Sequence, residues 1–193
     1  WPSSFGMHVN AIIVAAGKGE RMGTALPKPF LPLRGVPLLV HTLRSLDQAP
    51  SLRTIVLVIA PEREQLCRTM LDRHGPFRCT IRLVHGGAER QDSVRLGCAA
   101  LDPECDIVAI HDAARPFITA SIVEHSISVA AQVGAALVAV PVADTLKRVD
   151  ADQTVIETVP RHGLWLAQTP QTFRVDIIRA AHQRAQDEGI AVT

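Results

Sequence analysis

Residues 16–28 read AGKGERMGTALPK, three glycines (Gly17, Gly19, Gly23) with, among its cations, Arg21 and Lys28. Small residues let backbone N–H groups come close to phosphate oxygens. A guanidinium grips phosphate through a fork, and an ammonium acts as a point charge. Pro27 and Pro29 bracket Lys28 and stiffen the backbone that carries it. This composition suits binding an oligophosphate and stabilising charge on a leaving group. A solvated basic loop with a capping glycine would present the same residues. The glycine spacing is G-x-G-x-x-x-G, so the loop is not a dinucleotide fingerprint, and no frame yields a Walker-type phosphate loop.

Two further stretches carry candidate chemistry. HDAARP, residues 111–116, sets Asp112 after an apolar run, with Arg115 close behind. One carboxylate, completed by phosphate oxygens and water, suits Mg2+; a strand-end turn with an Asp–Arg pair would read the same way. GGAERQDSV, residues 86–94, offers Gly86 and Gly87 as bare backbone for a flat base to lie on, and Ser93 as a hydroxyl at a helix start. A helix-capping turn is the alternative there.

The elements that must position these residues follow from periodicity. Continuous apolar, β-branched runs at 11–15, 54–60, 81–85, 107–111 and 136–142 predict strands covered on both faces. Helical segments alternate with them at 37–47, 62–73, 93–101 and 119–132. The first opens on Pro37, Asp92 is a candidate N-cap for the third, and Thr119 caps the fourth. This order predicts an α/β fold, a doubly wound, mainly parallel, Rossmann-like sheet in one domain spanning 8–193. All three stretches then lie at carboxyl ends of strands, the rim where ligands bind in such sheets.

One segment breaks the alternation. Residues 144–159 form two β-prone runs around a polar DADQ turn and predict a protruding hairpin arm. An isolated hairpin is marginal in water, so it either rests on a second copy of the chain or is a plain surface hairpin. A last amphipathic helix, 175–187, stops at Gly189, and IAVT then starts what reads as another strand, so a truncated C-terminus is expected.

Composition narrows the partners. The formal net charge is +1, which argues against a nucleic-acid binder or a polybasic membrane-surface protein. The four cysteines, Cys67, Cys79, Cys98 and Cys105, form no C-x-x-C pair, so free thiols in a reducing cytoplasm are expected rather than zinc. The N-terminus lacks a signal-peptide pattern, and no apolar run reaches membrane-spanning length.

AAGKGERMG followed by PKPFLPL, together with GGAERQDSV, HDAARP and GLWLAQTPQ, resembles the 2-C-methyl-D-erythritol 4-phosphate cytidylyltransferases, nucleotidyltransferases of glycosyltransferase-A-like fold. The resemblance runs from Asn10 to the last helix. It implies an enzyme of non-mevalonate isoprenoid biosynthesis that joins CTP to the methylerythritol phosphate, with Mg2+ on Asp112. It assigns catalysis to Arg21 and Lys28. It assigns the nucleotide to Ala15, Ala16, Gly17, Gly19, Gly87, Ser93 and Asp112, and the acceptor to Arg115, Thr145, Arg161 and Thr169. Thr145 and Arg161 would reach the acceptor from the neighbouring subunit's arm in a homodimer. Ala88 stands where many relatives carry aspartate, which leaves that position a backbone role only. Family members extend past residue 193 with a further strand and a phosphate-contacting lysine. A phosphate nucleophile has its second pKa near ~6 and needs no general base, so His111 is given no catalytic role. Three alternatives stay open: CMP transfer to another polyol phosphate such as ribitol 5-phosphate, fusion to a second pathway enzyme, and a non-catalytic nucleotide-binding regulatory domain. The last would be expected to have lost some of Arg21, Lys28 and Asp112, and all are present.

Overall fold

The computed structural model describes residues 6–17 and 26–190. In chain order its elements are β1 (His8–Ala15), the short β2 (Pro32–Leu33) and β3 (Val36–Pro37), α1 (Leu38–Asp47), β4 (Leu52–Ile59), α2 (Glu64–His74) and β5 (Thr80–His85). There follow α3 (Arg90–Ala99), β6 (Cys105–Asp112), α4 (Ala120–Val133), β7 (Ala135–Pro141), β8 (Leu146–Val149), β9 (Val155–Val159), β10 (Trp165–Arg174) and α5 (Val175–Asp187).

The main sheet has six strands in the order β5-β4-β1-β6-β10-β7. β1, β4, β5 and β6 pair parallel, as continuous apolar strands covered on both faces should. Successive residues face opposite layers. Ile13, Ile55 and Leu57 pack with Leu39, Leu43, Cys67 and Ile127 of α1, α2 and α4. Ile12, Val56 and Val58 pack with Val94, Cys98 and Val175 of α3 and α5. The doubly wound reading therefore holds, and the five strands predicted from apolar runs are present with ends shifted by up to three residues.

β10 is the strand that periodicity does not announce. It runs antiparallel to both β6 and β7 and lies between them. Its sequence holds Pro170, which removes a ladder donor and masks the strand.

Two cap assignments need correction. Asp92 is not the N-cap of α3: that cap is Glu89, and Asp92 sits at the third helical position, where the two side chains form a reciprocal capping box. An acidic residue three positions after another satisfies two free N–H groups, so the helix starts a turn earlier than Ser93. Likewise α1 starts at Leu38 and Pro37 is its cap residue. Thr119 caps α4 as expected, its hydroxyl accepting from Ile122 N–H.

The arm is present. β8 and β9 pair as a separate two-stranded ribbon, with Arg148 and Glu157 ion-paired at 2.5 Å. Asp150 Oδ1 accepts from the N–H groups of Asp152 and Thr154 and closes the turn. The strand expected to begin at IAVT lies mostly outside the described residues; Ile190 itself is in no strand. No helix among the described residues is long and apolar enough to cross a membrane.

All four cysteines are free and buried. Burial raises the Cys67, Cys98 and Cys105 thiols to about 11 and Cys79 to about 12. The thiolate is the reactive form, so Ellman's reagent at pH 8 is expected to label none of them within minutes in the native protein, and all four after unfolding in guanidinium. Fast labelling of the folded chain would contradict the packing described.

Candidate active site

The carboxyl ends of β1, β5 and β6 meet on one rim. Val14 of β1 is the register partner of Asp112 of β6, and the Ala113 N–H donates to the Val14 carbonyl. This brings Ala16 and Gly17, where the glycine loop begins, alongside HDAARP. Beyond β1 the chain re-enters the described residues at Leu26. A 3-10 turn, Lys28–Phe30, then fixes Lys28. Pro27 caps that turn and Phe30 plugs into the core, so the exposed ammonium sits on an anchored backbone.

On the other side, β5 ends at His85 and the chain turns through Gly86 and Gly87. The Gly86 N–H donates to the Ile59 carbonyl at 2.8 Å. A Cβ at Gly86 would lie 2.5 Å from Ala16 Cβ and 2.7 Å from Ser93 Oγ. A Cβ at Gly87 would collide with Asp92. These two positions need glycine because two loops and a helix end touch there. Ser93 is buried one turn into α3, and its hydroxyl accepts from the Gly87 N–H at 3.2 Å.

A cavity of about 280 Å3 results, bordered by Ala16, Gly17, Lys28, Gly87, Ser93 and Asp112. Ala15 also borders it. A second cavity, about 720 Å3, opens beside it and is bordered by Lys28, His111, Asp112, Arg115, Gln168 and Thr169. Lys28, Asp112 and Ala114 belong to both walls.

Asp112 is held at both oxygens. Arg115 Nε donates to Oδ2 at 3.1 Å and Arg90 Nη2 to Oδ1 at 3.1 Å. Arg115 also donates to the Gln168 side-chain oxygen. Arg90 and Gln168 are partners that the sequence reading missed. Both lie inside motifs it quoted, but nothing in spacing says that a residue on α3 reaches the end of β6.

His111 is fully buried. Burial holds its pKa below the ordinary imidazole value, only partly offset by its hydrogen bond to the Arg115 carbonyl. Its other nitrogen faces the Thr169 hydroxyl. Neither nitrogen is free to take a proton from a substrate.

The residues do not all converge. Arg21 and Gly19 lie outside the described residues. Thr145 and Arg161 border neither cavity; both are exposed at the base of the arm, with Arg161 donating to the Ala143 carbonyl. Ala88 borders the smaller cavity, as a backbone-only position can.

A divalent cation fits Asp112 in one respect. The carboxylate is partly exposed at the junction of the cavities. Among the described residues no cluster of three or more His, Cys, Asp or Glu could hold a metal without help. Phosphate oxygens of a ligand would have to complete the shell, as Mg2+ prefers.

Residues 9–193 match the family described as 2-C-methyl-D-erythritol 4-phosphate cytidylyltransferase. The chain belongs to this family. A cytidylyltransferase of that name from Geotalea uraniireducens is 47% identical over 190 residues, which cover 97% of this chain and 81% of that protein. One from Alkaliphilus metalliredigens is 42% identical over 179 residues, 93% of this chain and 74% of that protein. The crystal structure of 4-diphosphocytidyl-2C-methyl-D-erythritol synthase from Anaerococcus prevotii superposes with a TM-score of 0.83 at 30% identity, covering 98% of this chain and 79% of that one. Membership in the cytidylyltransferase family agrees with the paired cavities and their shared cation.

Gly86 offers a direct check on the smaller cavity. In Gly86→Ala the methyl must push Ala16 and Ser93 apart, an overpacking that costs about 1–3 kcal/mol. A lower melting temperature and cytidine nucleotide binding weakened roughly tenfold are expected by calorimetry. Unchanged binding would mean that the loops do not touch as described.

Proposed function

We propose that this cytidylyltransferase moves a cytidylyl group from CTP to 2-C-methyl-D-erythritol 4-phosphate, releasing pyrophosphate and forming 4-diphosphocytidyl-2-C-methyl-D-erythritol. The observation that carries this reading is the shared wall of Lys28, Asp112 and Ala114 between two cavities. The smaller cavity, floored by glycine backbone, takes the nucleotide. The larger, flanked by Arg115 and Gln168, takes the polyol phosphate. A phosphate in one then faces a phosphate in the other across the shared wall.

The acceptor phosphate arrives ionised, since its second pKa is near ~6, so no side chain has to remove a proton. The attacking phosphate oxygen forms a bond to the α-phosphorus, and the bond from that phosphorus to the bridging oxygen breaks. The electron pair leaves with pyrophosphate. The protein's work is placement and charge neutralisation. Lys28, bordering both cavities, stabilises charge on the α-phosphate and the departing group. Arg21, which lies outside the described residues, is proposed to share that role. Asp112 is the proposed Mg2+ ligand, and bound metal would screen the triphosphate and make its phosphorus easier to attack. Ser93 and the backbone of Gly87, Ala15 and Ala16 are proposed to read the cytosine edge.

A homodimer accounts for Arg161 and Thr145, which lie at the arm and border neither cavity of their own chain. The arm exposes Val149, Val155 and Ile156, and the neighbouring β7 and β10 expose Leu137, Val140, Trp165 and Leu166. Apolar surface of this kind suits a partner. The four reduced thiols support a cytoplasmic setting.

Pyrophosphate release, measured with CTP, Mg2+ and each candidate polyol phosphate, tests the reaction. Release with the methylerythritol phosphate and little with ribitol 5-phosphate is expected, and the reverse preference would overturn the acceptor. Lys28→Ala should slow turnover roughly 100-fold, as loss of a preorganised charge donor does. The shared site has its own test. Neither Lys28→Ala nor Arg161→Ala protein alone should turn over efficiently. Co-refolded mixed dimers should regain roughly a quarter of intact sites, because each mixed dimer rebuilds one site of two. No recovery would place both residues in one chain's site.

A further inference from the structure

β6 and β10 pair antiparallel, with Thr172 opposite Ala109 and Gln171 opposite Ile110. Carried two residues on toward the rim, this register sets Thr169 opposite Asp112. Pro170 lies between and has no N–H to give. A side chain continues the ladder instead: the Asp112 N–H donates to Thr169 Oγ1 at 3.2 Å. The same oxygen lies 2.9 Å from His111 Nδ1. His111 Nε2 lies 3.0 Å from the Arg115 carbonyl.

The direction of this chain of bonds can be derived. A carbonyl only accepts, so Nε2 carries the ring proton. With that proton on Nε2, Nδ1 of the imidazole offers a lone pair and nothing to donate. The Thr169 hydroxyl therefore donates to Nδ1 while it accepts from Asp112. Its single proton is committed. A phosphate dianion offers only acceptors, so this hydroxyl has no bond to give it.

We propose that Thr169 is a positioning residue acting through Asp112, and not a hydrogen-bond donor to the acceptor phosphate. The proposal rests on the cytidylyltransferase reading above. Through Thr169 and His111 the N–H of Asp112 is tied to the carbonyl of Arg115, so the HDAARP turn is closed on itself and fastened to β10. Arg90 and Arg115 hold the carboxylate, and Thr169 holds the backbone behind it. The Asp112 side chain is thereby fixed at both ends at the junction of the cavities. Without the hydroxyl, a part-buried N–H and a buried imidazole nitrogen lose their partners together.

The test compares the full chain with Thr169→Val, which keeps shape and loses the hydroxyl, and Thr169→Ser, which keeps the hydroxyl. CTP affinity is measured by calorimetry with Mg2+ and with EDTA, beside steady-state kinetics. Thr169→Val is expected to lose about tenfold of the Mg2+-linked gain in CTP affinity and about tenfold in kcat, with the acceptor KM changed less than about threefold. Thr169→Ser should restore both. A Val variant altered only in acceptor KM, or one whose Mg2+-linked CTP affinity is unchanged, overturns the proposal. A second measurement needs no variant. In wild-type protein with 15N-labelled histidine, His111 should show a protonated Nε2 and an unprotonated Nδ1. Saturating methylerythritol phosphate should leave the Nδ1 resonance where it is; a clear shift would mean that the hydroxyl turns to the phosphate, which overturns the proposal. If the wild type released no pyrophosphate with any acceptor, the proposed reaction would fall, while the His111 resonance would still decide the hydrogen-bond chain.

Discussion

Two anions must touch for a phosphate to attack a triphosphate, and their repulsion governs the rest of this structure. At 4 Å each pair of unit charges opposes the other by about 1 kcal/mol in water and by about 4 kcal/mol near a protein surface. Only fixed positive charge at the meeting point offsets that, and it must be in place before the substrates arrive. The fold does this by ending β1 and β6 at the same height, through the pairing of Val14 with Asp112. Lys28 and Asp112 then border the two cavities alike.

The Arg90–Asp112–Arg115 cluster follows from the same constraint. Partly exposed ion pairs add little to stability, so the cluster is better understood as placement. One carboxylate between two guanidiniums leaves the local charge positive, and Lys28 adds to it. The carboxylate keeps both arginine forks in a defined geometry. Arg90 comes from α3, whose capping box fixes the helix start, and Arg115 from the turn after β6. Two layers of the fold therefore meet at one side chain.

Much of this was legible in the sequence because it is local. Continuous apolar runs gave the parallel strands, and the glycine loop, GGAERQDSV and HDAARP each announced a rim position by following such a run. The hairpin around DADQ was equally plain. What stayed hidden was non-local. The antiparallel insertion of β10 between β6 and β7 was masked by Pro170, and only that insertion sets Thr169 against Asp112. Arg90 sat in plain view, yet its reach to Asp112 depends on how α3 lies on the sheet. The Asp92 cap was misread because Glu89, three residues earlier, competes for the same free N–H groups and wins by pairing with it.

His111 shows how far chemistry depends on surroundings that sequence cannot supply. A histidine beside a site aspartate invites a general-base reading. Here the ring is buried and hydrogen-bonded at both nitrogens, to one carbonyl and one hydroxyl. A proton added to it would meet no acceptor at Nδ1 unless Thr169 reversed its bond. On the proposed reaction that arrangement is consistent, since the nucleophile arrives without a proton to remove and a titrating group next to Asp112 would only vary the charge that the substrates need held constant. The imidazole serves better as a rigid neutral spacer, tying a strand end to its turn, and the geometry of two hydrogen bonds is what it supplies.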